Sequence, residues 1–189
     1  MTFKYVSGRR CLDFAGTLKY RGGSAEELLT TPQRLSDWAL QAGVVDAVIE
    51  VGEHELEAAI ALREAIYRIV VGRLDGGRPT AADVDLVNEY ASRPQLTPRL
   101  HADGSVSREG TASQLLAGLA ADLLDLVGGP DVEKVKRCAH QGCTRLYIDT
   151  SRGQNRHWCG MNTCGNRAKV QAFRARQREA DRTPDVTRG

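Results

Sequence analysis

Apolar side chains recur at helical spacing over the first two thirds of the chain. In RRCLDFAGTLKY, residues 9–20, Leu12, Ala15 and Leu18 partly align while Cys11 and Phe14 make a second face, which predicts a short helix closed by Gly22 and Gly23. Thr31 before Pro32 is a helix start, because the hydroxyl caps and a proline at the first position loses no needed donor. Leu35, Trp38, Ala39 and Ala42 follow at helical spacing up to Gly43. A long helix over about 53–75 carries a broad stripe of Leu56, Ala59, Ile60, Ile66, Ile69 and Val70, with Glu53, Glu57, Arg63 and Arg68 as solvent-side positions.

After the breaker DGGRP, Thr80 with Asp83 opens a helix to about Ser92, and a small hairpin is expected around Asp103-Gly104. Thr111 and Gln114 form a stronger capping box. The run LLAGLAADLLDLV behind it is apolar on most sides, with Leu115, Leu119, Leu123 and Leu126 on one stripe and Leu116, Leu124 and Val127 on another. That predicts a central, nearly encircled helix. GGP at 128–130 is the one clear boundary, and a short helix over 131–137 is expected to bridge it. The pattern gives a mainly α protein: a helical domain over 1–129, a small module over 130–180 and a flexible tail over 181–189.

The module is defined by cysteines. Four of the five form C138-x4-C143-x15-C159-x4-C164, two short pairs brought together by a loop. Four thiolates favour zinc among common divalent ions and leave no open coordination position, which argues for structure rather than catalysis. An iron–sulfur cluster or metal-free thiols are the alternatives, and His140 or His157 replacing one sulfur is a further variant. Cys11 reads as a small buried hydrophobe. Leu146-Tyr147-Ile148 is expected to be a strand returning through Arg156-His157-Trp158. A helix over about 164–179, capped by Asn162, should follow. This order is that of a treble-clef-like finger, a short hairpin plus a helix carrying the last ligand.

Charge sharpens the division. The whole chain has a formal net charge of only +2, with 26 Lys and Arg against 24 Asp and Glu. Residues 134–189 hold 13 basic and 4 acidic residues (+9), leaving 13 basic and 20 acidic (−7) for residues 1–133. An acidic body joined to a basic module points to an anionic partner for the latter. Arg167, Arg174 and Arg178 share one helix face, Lys169 and Arg176 widen it, and Arg145, Arg152 and Arg156 extend it from the hairpin. Val170 and Phe173 point to another sector, suited to packing on Tyr147 or Trp158. Asn166 is expected to hydrogen-bond within the module beside Gly165. Double-stranded DNA is the expected partner, contacted through phosphates and base edges. An acidic protein is the alternative.

Other classes find less support. No run of 18 apolar residues and no leader-like segment is present, so a cytoplasmic protein with no membrane partner is expected. No nucleophile motif, GxxxxGK or HExxH occurs, so an enzyme is not expected. Asp13, His54, Glu57 and Glu64 read as surface charges rather than a pocket. A homodimer face or a small-molecule effector site in the helical domain is compatible with the pattern, though no motif names either.

The string CGNR at 164–167, continuing through NRAKVQAFRARQR and backward through CTRLYIDTSRGQNRHWCGMNTC, resembles the bacterial CGNR zinc-finger family. CLDFAGTL and TPQRLSDWALQAGVV resemble the helical domain that precedes the finger there, a domain described as a stress-induced transcription regulator. The resemblance spans nearly the whole chain. It implies a helical domain followed by a zinc finger, Zn2+ held by Cys138, Cys143, Cys159 and Cys164, and a DNA-binding regulatory role. Gly16 departs from the CLDFANTL of many relatives and is expected to loosen that helix end.

Overall fold

The computed structural model describes residues 2–182, and the rest of the predicted tail, residues 183–189, lies outside the described residues. The body is built from α1 (Arg10–Ala15), α2 (Pro32–Gln41), α3 (Glu53–Leu74), α4 (Ala81–Ala91) and α5 (Ala112–Gly128). The caps act as their chemistry dictates. Thr31 accepts from Arg34 N, Thr80 accepts from Asp83 N, and Thr111 and Gln114 bond reciprocally. Two small hairpins join the helices: β1 (Leu18–Lys19) with β2 (Glu26–Glu27), and β3 (Thr97–Leu100) with β4 (Val106–Glu109), the latter turning at Gly104 with φ +82.

Helices α3 and α5 pack on one another, and α4 and α1 each lie against both. Leu12, Phe14, Trp38, Leu62, Ile66, Leu115, Leu119 and Leu123 fill the interior. Helix α5 is not encircled as the sequence suggests: Leu124 and Asp125 face solvent, so the second apolar stripe is only partly covered.

Arg63 also departs from its expected solvent-side position. It is 1% exposed and donates to both carboxylate oxygens of Glu27 at 2.6 and 2.8 Å, to Glu64 at 2.8 Å and to Thr17 at 3.3 Å. Glu64 in turn accepts from Arg21, whose guanidinium lies 3.9 Å from the Tyr67 ring centroid. Burial raises the Glu64 pKa, but Arg21 and Arg63 outweigh it and hold the carboxyl below its ordinary range. The fork of Arg63 meets the Glu27 carboxylate contributed by β2, a partner that helical periodicity does not reveal.

The junction differs from the expected short helix. A single 3-10 turn, Pro130–Lys134, leads into β5 (Val135–Arg137), which pairs antiparallel with β6 (Leu146–Ile148). The three-residue strand exists because its partner is there, and so few residues carry no readable period. Alternation along β6 then splits its side chains: Leu146 and Ile148, with Val135, join the core of the body, while Tyr147 joins the cysteines.

Candidate metal centre and cationic helix

The β5–β6 hairpin makes the first cysteine turn. Cys138 N donates to Arg145 O at 3.0 Å and Cys143 N to His140 O at 2.9 Å, with Gly142 at φ +78 completing the bend. The expected return strand over 156–158 does not form. That segment instead meets the cysteine turn through Ala139 N donating to His157 O, and meets β6 through the Tyr147 hydroxyl donating to Arg156 O at 2.7 Å. Cys164 sits in a π turn, Met161–Gly165, which feeds α6 (Asn166–Arg182). No side chain caps this turn, so Asn162 does not take the role expected of it. Gly165 lies close under the Met161 side chain, with a Cβ there falling 2.9 Å from Met161 Sδ, which the exposed methionine can relieve by moving.

The geometry brings together Cys138, Cys143, Cys159 and Cys164, with all four Sγ atoms within 4.8 Å of one another. Cys143 and Cys159 are 4.0 Å apart at sulfur, and Cys159 and Cys164 are 3.6 Å apart. A tetrahedral ion with metal–sulfur bonds of about 2.3 Å requires sulfur separations of about 3.8 Å, so the donor set fits. Crowding opposes joint ionisation of the thiols: burial, then negative charge at Cys143 and Cys138, pushes Cys164 up to about 12. A divalent cation reverses that penalty, because deprotonated sulfurs are its ligands. Neither histidine belongs to the cluster. His140 Nδ1 lies 2.8 Å from Gln141 O, and His157 is exposed beside Trp158. Cys11 is remote and buried, and burial drives its thiol well above the ordinary value.

Tyr147, fully buried between the cysteines and Val6, is the apolar centre of the module. Burial pushes its hydroxyl up to about 12 despite the opposing Arg156 guanidinium, 4.4 Å from the ring centroid. Asp149, whose role the sequence reading missed, organises the loop behind it. Its carboxylate accepts from Lys136 Nζ at 2.7 Å, from Ser151 N and Oγ, and from Arg156 N at 2.9 Å. Burial would raise this pKa, but the ammonium and these donors hold it below the usual carboxylate range. The available signal was its isolation as the lone acid between Lys134 and Arg178.

The predicted cationic residues divide into two groups. Arg145 is buried, donates to the carbonyls of Lys4 and Gly16 at 3.1 Å each, and stands 3.7 Å from Asp13. Arg156 donates to the carbonyls of Trp158, Val6 and Cys159. Both hold the module together or onto the body, so neither belongs to an exposed cationic surface. Gly16 does not loosen α1. It vacates space for Arg145, since a Cβ at residue 16 would meet the guanidinium at 2.3 Å.

Arg152, Arg167, Lys169, Arg174, Arg176 and Arg178 are exposed. Among the described residues only Arg167 of these six has a hydrogen-bond partner, the Tyr20 hydroxyl at 2.7 Å. Tyr20 reaches it from a left-handed backbone, φ 55, which costs a side-chain-bearing residue free energy and so marks a constrained turn. Asn166 is exposed and its side chain makes no hydrogen bond within the module among the described residues, contrary to the structural role expected of it. Val170 and Phe173, expected to pack inward, are 48% and 54% exposed. Helix α6 packs mainly on its own π turn, which leaves these two side chains uncovered.

Two family models match. One, described as "ABATE: Putative stress-induced transcription regulator", covers residues 8–130, and one described as "CGNR zinc finger" covers residues 134–177. The chain belongs to the ABATE family and carries a CGNR zinc finger. No curated protein matches it in sequence. The join between the two matches falls at the 3-10 turn, yet the core of the ABATE region continues into the finger through Val135, Leu146 and Ile148. Among the described residues of this ABATE–CGNR chain, no helix is long and apolar enough to cross a membrane. Of the three acids and one histidine expected at the surface, His54 and Glu57 are exposed, whereas Asp13 and Glu64 are half-buried, Asp13 accepting from Val6 N and Ser7 N and Glu64 engaged by arginines.

Proposed function

We propose that this ABATE–CGNR protein is a transcription regulator of the cytoplasm. In this reading Zn2+ is held by Cys138, Cys143, Cys159 and Cys164, and α6 binds double-stranded DNA. The ion supplies folding free energy and thiolate charge balance. The protein supplies the rest. Arg145 and Arg156 fix the finger to the body through backbone carbonyls, and the Arg167–Tyr20 bond sets the start of α6 against the β1–β2 turn.

One observation carries the reading: Lys169, Arg174, Arg176 and Arg178 stand exposed on α6 with no partner among the described residues, although the body is acidic. A surface used only for solubility mixes signs and neutralises many of its own charges. Phosphates are the abundant partner for an uncompensated row of this kind. The test is binding to duplex DNA as salt rises from about 50 to about 200 mM, where five phosphate contacts imply a loss of roughly 500-fold. Removing charge at Arg174, Arg176 and Arg178 should lower the salt slope by about 3. Salt-independent or absent binding by zinc-loaded protein rejects the reading, and salt-steep capture of an acidic polypeptide instead selects the alternative of a protein-interaction module.

A further inference from the structure

The faces of α6 carry more information than its charge. Asn166, Val170, Phe173 and Gln177 recur at offsets 0, 4, 7 and 11 and so form one ridge along the helix. All four are exposed. On one side the ridge is bordered by Arg167, Arg174 and Arg178, and on the other by Lys169 and Arg176. The opposite side of the helix carries Ala168, Ala172 and Ala175.

We propose that this ridge is a base-reading surface for A·T pairs in the major groove, with Val170 and Phe173 covering thymine methyl groups. The inference rests on the DNA-binding reading and names what that surface selects. A helix about 10–12 Å across fits a groove about 12 Å wide and 8.5 Å deep. The ridge spans about 17 Å along the axis, or about five base pairs at 3.4 Å each. With the ridge on the groove floor, the two cationic borders face the two phosphate backbones, one on each wall. Asn and Gln amides match the N6 and N7 edge of adenine, and apolar side chains match the C5 methyl of thymine. Guanine reading by bidentate arginine would require the arginines at the centre, and here they stand at the edges.

The same ridge is poorly suited to a protein partner. Its apolar part is two side chains wide at most, and cations close on both flanks. A stable protein interface needs about 800 Å2 from each partner around a charge-depleted core. A duplex meets this pattern with an anion on each side and methyl groups between.

The test uses the zinc-loaded full chain and three duplexes of equal length: alternating A·T, the same sequence with uracil for thymine, and alternating G·C. Uracil removes only the methyl group. The wild-type protein should bind the thymine duplex tightest and lose about four-fold for each methyl it covers when uracil replaces thymine. The variant V170S/F173S keeps every cation and alters only exposed positions. It should lose the thymine–uracil difference while retaining its salt slope and its zinc content. Equal, salt-steep binding of wild-type protein to all three duplexes overturns the ridge assignment and leaves the DNA-binding reading standing. Failure to bind any duplex overturns both.

Discussion

The arginines of the body and those of the finger have different fates. In the body they meet carboxylates: Arg63 with Glu27 and Glu64, Arg68 with Asp83, Arg9 with Asp122 and Arg21 with Glu64. In the finger, Arg156 meets backbone carbonyls, Arg145 adds a 3.7 Å ion pair with Asp13 to its two carbonyls, Arg137 pairs with Asp75, and the cations of α6 beyond Arg167 have no partner among the described residues. A carbonyl accepts a hydrogen bond without cancelling a full charge. The finger is therefore fastened to an acidic body through carbonyls as well as through the Arg137–Asp75 and Arg145–Asp13 pairs, and its remaining positive charge is concentrated on α6. The two regions also differ in what holds them folded. The body relies on Trp38, Phe14 and thirteen buried leucine and isoleucine positions among the described residues, whereas the finger's own interior is little more than Tyr147 and the cysteines.

The largest effect expected from this contrast follows metal removal. Zinc binding to small fingers is worth about 10–16 kcal/mol. Chelation, or Cys159→Ser, should therefore abolish the fold of residues 156–165 and the fixed orientation of α6. Because Val135, Leu146 and Ile148 belong to the body's core, β5 and β6 should stay protected. Hydrogen exchange by segment distinguishes this from collapse of the whole finger: loss of protection at Leu146–Ile148 on chelation would refute the shared core.

Next in size is Arg63→Ala. Removing the buried fork leaves Glu27 and Glu64 facing each other at the Thr17 side without it, and should cost about 3 kcal/mol in denaturant unfolding. DNA affinity should be unchanged, since α6 is untouched. Gly16→Ala comes third. The added methyl competes with the Arg145 guanidinium, and overpacking of this kind costs about 1–3 kcal/mol. Here the loss should be felt across the body–finger contact, so exchange at Lys4–Ser7 should rise. An unchanged midpoint would show that Arg145 has another seat.

The smallest effect concerns acid. Asp149 is held below its ordinary pKa, so its contribution to the loop is complete above the unfolded value of about 3.9 and is lost only as pH falls through the lower folded value. A carboxyl carbon titration should find Asp149 still ionised where exposed aspartates are half protonated. Titration with the others would remove it from the centre of the loop.

Local chemistry made much of this legible in the sequence. Thr31 before Pro32 and Thr111 with Gln114 mark helix starts through bonds made within four residues, and both caps form. The cysteine spacing likewise brings the four sulfurs together, because each turn is closed by its own short segment. What escaped depends on distant partners. Arg63 sits at a position that helical spacing assigns to solvent, and Glu27 on β2, far away in sequence, joins Glu64 and Thr17 in making its burial tolerable. Val135–Arg137 becomes a strand because Leu146–Ile148 lies beside it. Val170 and Phe173 share a helix sector suited to packing on Tyr147 or Trp158, yet both stand about half exposed, because helical spacing fixes a shared face and not what lies against it.

The split alternation of β6 bears on how this architecture could be taken apart. One strand serves two interiors, with Tyr147 on the metal side and its neighbours Leu146 and Ile148 on the helical side. Severing the chain at Gly129 would leave each fragment with a greasy wound where the other had been. Grafting the finger alone onto a foreign protein should therefore require carrying along a surrogate for α1.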